Sequence, residues 1–235
     1  MSSLQRLAVV IPARDESELV GRCLASVERA RRRLLLRRGD AVSVSVVVVA
    51  DGCSDDTAQV ARGLGATVIE VPIVGVGAAR AVGIAHELRR SGADPQRFWV
   101  ANTDADSVVG PDWLLDQVAA ADSGADARAG GVRPRFSDLT PLQIRNWRAL
   151  RHGNRMPGHV HGANLGVRAS AYLQAGGFGP LVEHEDVQLV ARLHAAGARV
   201  EFVDRPDVLT SGRATGRTPG GYAGYLGTLA SRVSP

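Results

Sequence analysis

Four short β-branched runs in the first hundred residues, each followed by a stretch of helical periodicity, restrict this chain to an α/β fold. Leu7 to Ile11 reads as a strand, and Glu18 to about Leu36 as a helix with Leu19, Cys23, Val27 and Ala30 on one face. Val42 to Ala50 is almost pure valine, the pattern of a strand buried on both faces of a parallel sheet. Ser54 is expected to cap the next helix, with Asp55-Asp56-Thr57 in its first turn, where the helix dipole favours acids. Ala66 to Val71 follows as a third strand, Ala78 to Arg89 as a third helix and Phe98 to Asn102 as a fourth strand. Pro111 then opens a helix to Ala121 as a first-turn proline. This β-α-β-α order predicts a mostly parallel sheet with right-handed crossovers. Ligands of such sheets bind beyond the carboxyl ends of the strands. The informative loops are therefore those after Ile11, Ala50, Val71 and Asn102, and each is polar.

The second half is less regular. Asp126 to Val132 suggests a strand, and Thr140-Pro141-Leu142-Gln143 resembles a capping-box helix start. A Gly/His-rich stretch from His152 to Gly162 precedes a short strand over Asn164 to Val167. Glu185 to Ala196 reads as a helix, Arg199 to Val203 as a strand, and Thr210 to Gly221 as a mobile tail before a last short helix. At 235 residues, with no repeat and no clear linker, a single domain is expected. That domain divides into a regular half, residues 1–107, and a less regular half, residues 108–235.

Composition narrows the function classes. No apolar run is long enough to span a bilayer, and the N-terminus enters a strand with no leader-like segment. Two cysteines, Cys23 and Cys53, are too few for a disulfide framework, so two free thiols in the cytoplasm are expected. All 28 basic residues are arginine, which reads as coding bias, and a net charge of +4 does not call for nucleic acid. The concentration from Arg29 to Arg38 reads first as a solvated helix face; a peripheral contact with an anionic membrane is the sharper alternative.

The chemistry gathers in the loops. The strand Phe98 to Asn102 delivers Thr103-Asp104-Ala105-Asp106, two carboxylates one residue apart. Mg²⁺ and Mn²⁺ take oxygen ligands, typically one or two carboxylates plus substrate phosphates. Alone, such a pair is equally an ordinary turn. Asp51 leaves the valine strand at the sheet's carboxyl edge, where it can accept hydrogen bonds from a base or ribose. Ile11-Pro12-Ala13-Arg14-Asp15-Glu16 follows the first strand, and Gly75-Val76-Gly77-Ala78-Ala79-Arg80 permits close backbone approach, with Arg80 able to meet a phosphate.

In this order the four loops resemble the nucleotide-binding half of GT-A fold glycosyltransferases of family 2. The resemblance implies a donor nucleoside held by Pro12, Ala13, Glu16 and Asp51, with Arg80 near the base and diphosphate. It implies a divalent cation, Mg²⁺ or Mn²⁺, on Asp104 and Asp106, with Asp104 also counted among the nucleotide contacts. His161-Gly162-Ala163-Asn164 is similar to a segment lining the donor sugar and acceptor. Glu185-Asp186 is similar to the family's Glu-Asp pair at a helix start, which makes Asp186 the catalytic base and Glu185 its orienting neighbour. The implied reaction moves a sugar from a nucleotide-diphosphate donor, a UDP-sugar favoured over GDP-mannose, to an unidentified acceptor hydroxyl with inversion.

Some positions depart from the pattern. Asp15 and Ala81 stand where asparagine is frequent, and no histidine follows His194 to add a metal ligand. Arg213 and Arg217 occupy that tail instead and are read as a diphosphate clamp, with a solvated basic loop weighing equally. The metal is then expected to bind weakly without nucleotide. His152, His159 and His161 without nearby cysteines are not expected to hold zinc. Two rivals remain: a degenerate GT-A fold that binds without catalysis, and a nucleotide-binding oxidoreductase. For the latter the glycine loop lacks its third glycine and does not follow the first strand.

Overall fold

The first three strands pair in sequence order through helical crossovers, and the next crossover carries the chain back to the free edge of the first strand. The computed structural model describes residues 3–153, 160–179, 184–213, 215–216 and 221–230. The first half runs β1 (Arg6–Ala13), α1 (Val20–Arg38), β2 (Ser43–Asp51), α2 (Thr57–Gly63), β3 (Thr67–Val71), α3 (Val76–Ser91) and β4 (Phe98–Asn102). The second half runs β5 (Val108–Val109), α4 (Trp113–Asp122), β6 (Ala127–Pro134), α5 (Pro141–Gly153), β7 (Leu165–Arg168), α6 (Ala169–Gln174), α7 (Glu185–Ala195), β8 (Val200–Thr210) and α8 (Tyr222–Thr228).

The strands form one sheet in the order β3-β2-β1-β4-β7-β6-β8-β5. The first four are parallel, β7 runs antiparallel between β4 and β6, β8 lies parallel to β6, and β5 closes the edge antiparallel to β8. The expected mostly parallel α/β sheet is what the chain forms. Strand order reverses between β1 and β4, so a crevice opens at their carboxyl ends. Helices α1 and α4 cover one face through Val20, Cys23, Leu24, Val27, Leu34, Trp113, Leu114 and Val118. On the other face α3, α6 and α7 pack Ile84, Tyr172, Leu189 and Leu193 against Val10, Val100 and Leu165.

Several boundaries move for local reasons. Only Val47 to Asp51 of β2 is fully buried, because Ser43 to Val46 run past the end of β3 and pair with β1 alone. Helix α2 starts at Thr57, later than expected, and Ser54 is not its cap. Asp56 holds the cap position without a side-chain bond, and Asp55 just before it accepts from the Thr57 amide (3.0 Å) and hydroxyl and from the Ser17 amide (3.0 Å). These donors outweigh burial and hold the Asp55 carboxyl far below the ordinary carboxylate range. Pro111 lies in the turn before α4, not in its first turn. The capping box forms as expected: the Thr140 amide donates to Gln143 Oε1 (2.9 Å), and the Gln143 amide to Thr140 Oγ1 (3.3 Å). Strand β8 continues past Val203 to Thr210, and β5 and α6 are elements the sequence reading lacked.

Both cysteines are free thiols. At the far end of α1 the arginines mostly find acids: Arg31 and Arg32 pair with Glu28, Arg33 with Asp112, and Arg38 with Asp122. That is the solvated face, although Leu35 and Leu36 are exposed beside it. Among the described residues no helix is long and apolar enough to cross a membrane.

Candidate active site

The crevice is built from strand ends. β1 outruns β4, whose pairing stops at Val10↔Asn102, so the last residues of β1 pair with β2 alone. Pro12 sits there, where a missing N–H breaks no ladder bond. Asp15 then adopts a left-handed backbone (φ 47°), which asparagine and aspartate tolerate better than most residues. Its Oδ1 accepts from the Ser54 amide (2.7 Å) and hydroxyl (3.1 Å), tying the first loop to the second. Glu16 is buried; its amide donates to Thr57 Oγ1 (2.8 Å), and its carbonyl receives the first amides of α1.

Asp51, 4% exposed, spends both oxygens on the third loop, accepting from the Val74 amide (2.6 Å) and the Gly75 amide (3.1 Å). It thus shapes the loop that opens α3, where Gly75 (φ 89°) turns the chain. Each carboxylate oxygen retains a lone pair for a further donor.

Asp104 and Asp106 emerge from β4 with unequal exposure, the Asp104 carboxylate about a third exposed (34%) and that of Asp106 mostly buried (13%). Below them the Cys23 thiol donates to the Asp104 carbonyl (3.3 Å), and burial with the two carboxylates pushes that thiol far up. Asp106 receives the Ser107 and Thr210 hydroxyls, each at 3.3 Å. Arg213 Nη2 reaches Asp106 Oδ2 (2.9 Å) and Glu16 Oε1 (2.8 Å) together. Burial, then the charge of Asp104, raises Asp106 from 3.8 to about 6 against the pull of Arg213.

Arg80 departs from expectation. Instead of facing a base or diphosphate it is 2% exposed, with Nη2 donating to Asp104 Oδ1 (2.6 Å) and Nη1 to Glu185 Oε1. Its guanidinium lies 5.8 Å from the Phe178 ring centroid. Glu185 is itself buried, which raises its carboxyl despite Arg80. Asp186, half-buried beside it, accepts from the Gly162 amide (2.6 Å) and the Val187 amide (2.7 Å). His184, left-handed at φ 59°, turns the chain into α7.

The His161 to Asn164 segment divides. Gly162 begins a one-turn 3₁₀ helix pressed onto Arg80, and a Cβ there would lie 2.5 Å from the guanidinium carbon. Asn164, expected beside the sugar or acceptor, is fully buried: Oδ1 accepts from the Trp113 indole (2.9 Å) and Nδ2 donates to the Gly131 carbonyl (2.9 Å). Ala163 lies in the core beneath. Of the four, His161 is the half-buried one, its ring meeting Tyr222 edge-on at 5.5 Å. Tyr222 went unremarked in the sequence; its hydroxyl accepts from the Trp147 indole (3.1 Å), which ties α8 to α5. Thr210, read in the sequence as the start of a mobile tail, is instead the last residue of β8. Arg217 and His159 lie outside the described residues. Among the described residues, Asp15, Cys53 and Asp55 also cluster, but each already has a partner: the Ser54 groups for Asp15, the Ala13 carbonyl for the Cys53 thiol, and Ser17 and Thr57 for Asp55.

The architecture defines an α/β protein with carboxylates at the carboxyl ends of its central strands, and comparison with known proteins gives its family. The sequence profile of glycosyl transferase family 2 matches residues 8–172, and the chain belongs to that family. A 65-residue segment is 40% identical to 4,4'-diaponeurosporenoate glycosyltransferase of Staphylococcus aureus, covering 28% of this chain and 15% of that protein. The fold is similar to S. aureus TarS 1-349 (TM-score 0.63, 17% identity, 89% of this chain and 61% of that one). It is also similar to the mannosyltransferase PcManGT from Pyrobaculum calidifontis, solved with GDP-Man and Mn²⁺ (TM-score 0.62, 20% identity, 92% and 59%). The chain therefore spans less than two thirds of each of these relatives.

Proposed function

We propose that this chain transfers a sugar from a nucleoside-diphosphate sugar to an acceptor hydroxyl, with Asp186 as the base. The observation that carries the reading is the Asp104–Arg80–Glu185 bridge, which joins the strand end that bears Asp104 and Asp106 to the first turn of α7, where Asp186 stands. A divalent cation fits Asp104 and Asp106: all the donors are hard oxygens, and a cationic guanidinium already rests on Asp106. When bound, such an ion offsets the charge that gathers on the leaving diphosphate. With Asp104 and Asp106 as its protein ligands, the donor's own phosphates would complete the ion's shell. Pro12, Ala13, Glu16 and Asp51 form the floor for the nucleoside. Uridine is favoured, with guanosine second; TarS is known with UDP and PcManGT with GDP-Man.

The acceptor enters between Asp186 and the His161–Tyr222 pair. Asp186 takes the hydroxyl proton as the oxygen attacks the anomeric carbon, the bond to the diphosphate breaks on the opposite face, and the anomeric centre inverts. The amide of Gly162 keeps Asp186 aimed. Arg213 joins the diphosphate as it leaves Asp106, with Arg217 as its companion in the tail. The two free thiols fit work in the cytoplasm.

The test is a donor screen with Mn²⁺ followed by Asp186→Asn. Transfer should fall about 10²–10⁴-fold while affinity for the nucleoside diphosphate with Mn²⁺ is kept. A chain that binds nucleotide yet neither transfers nor hydrolyses any donor is a binding protein, and the proposal fails.

A further inference from the structure

We propose that Arg80 is a positioning residue: untouched by the donor, it locks the metal-motif aspartate Asp104 to the start of α7. The leaving-group side and the base side of the reaction are then held as one unit. The inference rests on the reading of Asp186 as base and Asp104 as metal ligand.

The physical case begins with burial. A diphosphate ligand must turn N–H groups to the crevice, yet the Arg80 side chain is 3% exposed and each terminal nitrogen already points an N–H at a carboxylate. Its Nε is buried with no partner, so its orientation is set by the two carboxylates at the expense of that third donor. The surroundings are shaped to admit this bridge. Gly162 lies against the guanidinium, where any Cβ would sit 2.5 Å from Cζ. Gly77, one turn before Arg80 on the same helix, leaves room for Glu185, whose Cγ would lie 2.9 Å from a Cβ at that position. The Gly162 amide in turn holds Asp186 at 2.6 Å. A connected path thus runs from Asp104 through Arg80 to Glu185 and, by way of Gly162, to Asp186.

Arginine is needed here for its shape. A planar fork reaches two carboxylates on separate elements at once, whereas a lysine ammonium is a point charge on a flexible stem and serves one of them at a time. Glu185 and Asp104 are 81 residues apart in the chain, and the Arg80 bridge joins them. When the donor and its cation load onto Asp104, the order they impose passes through Arg80 to the first turn of α7.

The experiment measures that passage directly. Hydrogen–deuterium exchange of the α7 amides is compared with and without UDP plus Mn²⁺, and in a parallel arm GDP plus Mn²⁺. The proteins are the native chain, Arg80→Lys and Glu185→Gln. In the native protein the nucleotide should slow exchange in the first turn of α7. In both variants that ligand-induced protection should vanish, while nucleotide affinity stays within about threefold of native, since the coupling and not the binding is lost. Glu185→Gln keeps the side-chain shape and leaves Arg80 in place, so it tests the bridge even where Arg80→Lys folds poorly. A loss of affinity of about tenfold or more in Arg80→Lys, with α7 protection kept, would make Arg80 a diphosphate ligand and overturn the proposal. So would a native protein that binds nucleotide without protecting α7. If the native chain binds neither nucleotide with Mn²⁺, the underlying reading fails first and this one with it.

Discussion

The two aspartates of the Asp104-Ala105-Asp106 turn are each held by an arginine, and the two arginines differ in kind. Arg80 comes from a helix in the body of the fold, is almost fully buried, and uses two nitrogens to span Asp104 and Glu185. Arg213 comes from the tail after β8, is 36% exposed, and uses a single nitrogen on Asp106 and Glu16. A buried fork with two partners is costly to open, because each opened carboxylate is left in a poor solvent. A half-exposed pair is screened by water and opens at little cost. The first arginine is framework and the second is exchangeable.

Stability separates them most sharply. Arg80→Met should lower the unfolding free energy by about 3–5 kcal/mol, since it strands the buried Glu185 and the partly buried Asp104. Arg213→Ala should change it by less than about 1 kcal/mol. Urea unfolding monitored by tryptophan fluorescence reads both. Equal losses would erase the distinction.

Acid titration comes next in size. The carboxyl of Asp106 stands at about 6 in the folded chain against an ordinary 3.8, raised by burial and by Asp104. The folded state therefore binds that proton more tightly than the unfolded state. Its contribution is complete below about pH 4 and is lost as pH rises through about 6, an effect of about 1–3 kcal/mol at most. Glu185, raised by burial, acts in the same direction, while the hydrogen-bonded Asp55, held low, acts in the opposite one. Comparing the urea midpoint of the native chain and Asp106→Asn across pH 4 to 7 isolates the Asp106 step, which should be absent in the variant. An unchanged pH profile would place Asp106 in water and remove the reason for its dependence on Arg213.

The contrast between the arginines also shows what a sequence discloses. Strand positions were readable because parallel strands leave continuous apolar runs: Phe98 to Asn102 is β4 residue for residue, and the four loops do meet at one edge. The aspartates were readable because they follow those strands directly. The far half of β8 was not, since it passes through Pro206, which reads as a breaker, and pairs with β6 across register shifts at Gly130 and Gly131. Thr210, beside Asp106, was hidden with it. Arg80 could be located on its helix but not in its surroundings, because Glu185 arrives from 105 residues away. Asn164 was misdirected for a like reason: the Trp113 indole that claims its side chain belongs to α4. Chain-local chemistry reveals which groups reach the edge, and tertiary packing decides which of them still face the ligand.

The smallest effect concerns ligand exchange at Arg213. If the guanidinium competes with the cation for Asp106, removing it should strengthen Mn²⁺ binding in the absence of nucleotide. The ion pair is half-exposed, so the gain should be modest, about fivefold, or roughly 1 kcal/mol. With UDP present the sign should reverse. The native arginine, displaced from Asp106, gains a bidentate partner in the diphosphate, and Arg213→Ala should weaken UDP–Mn²⁺ binding by about tenfold. Titrating Mn²⁺ by electron paramagnetic resonance with and without UDP gives both numbers for one variant. Opposite signs are what an exchanging residue produces and a fixed one does not. Arg213→Ala weakening binding in both states would make Arg213 part of the framework, like Arg80, and strengthening in both would leave it a simple blocker of the site.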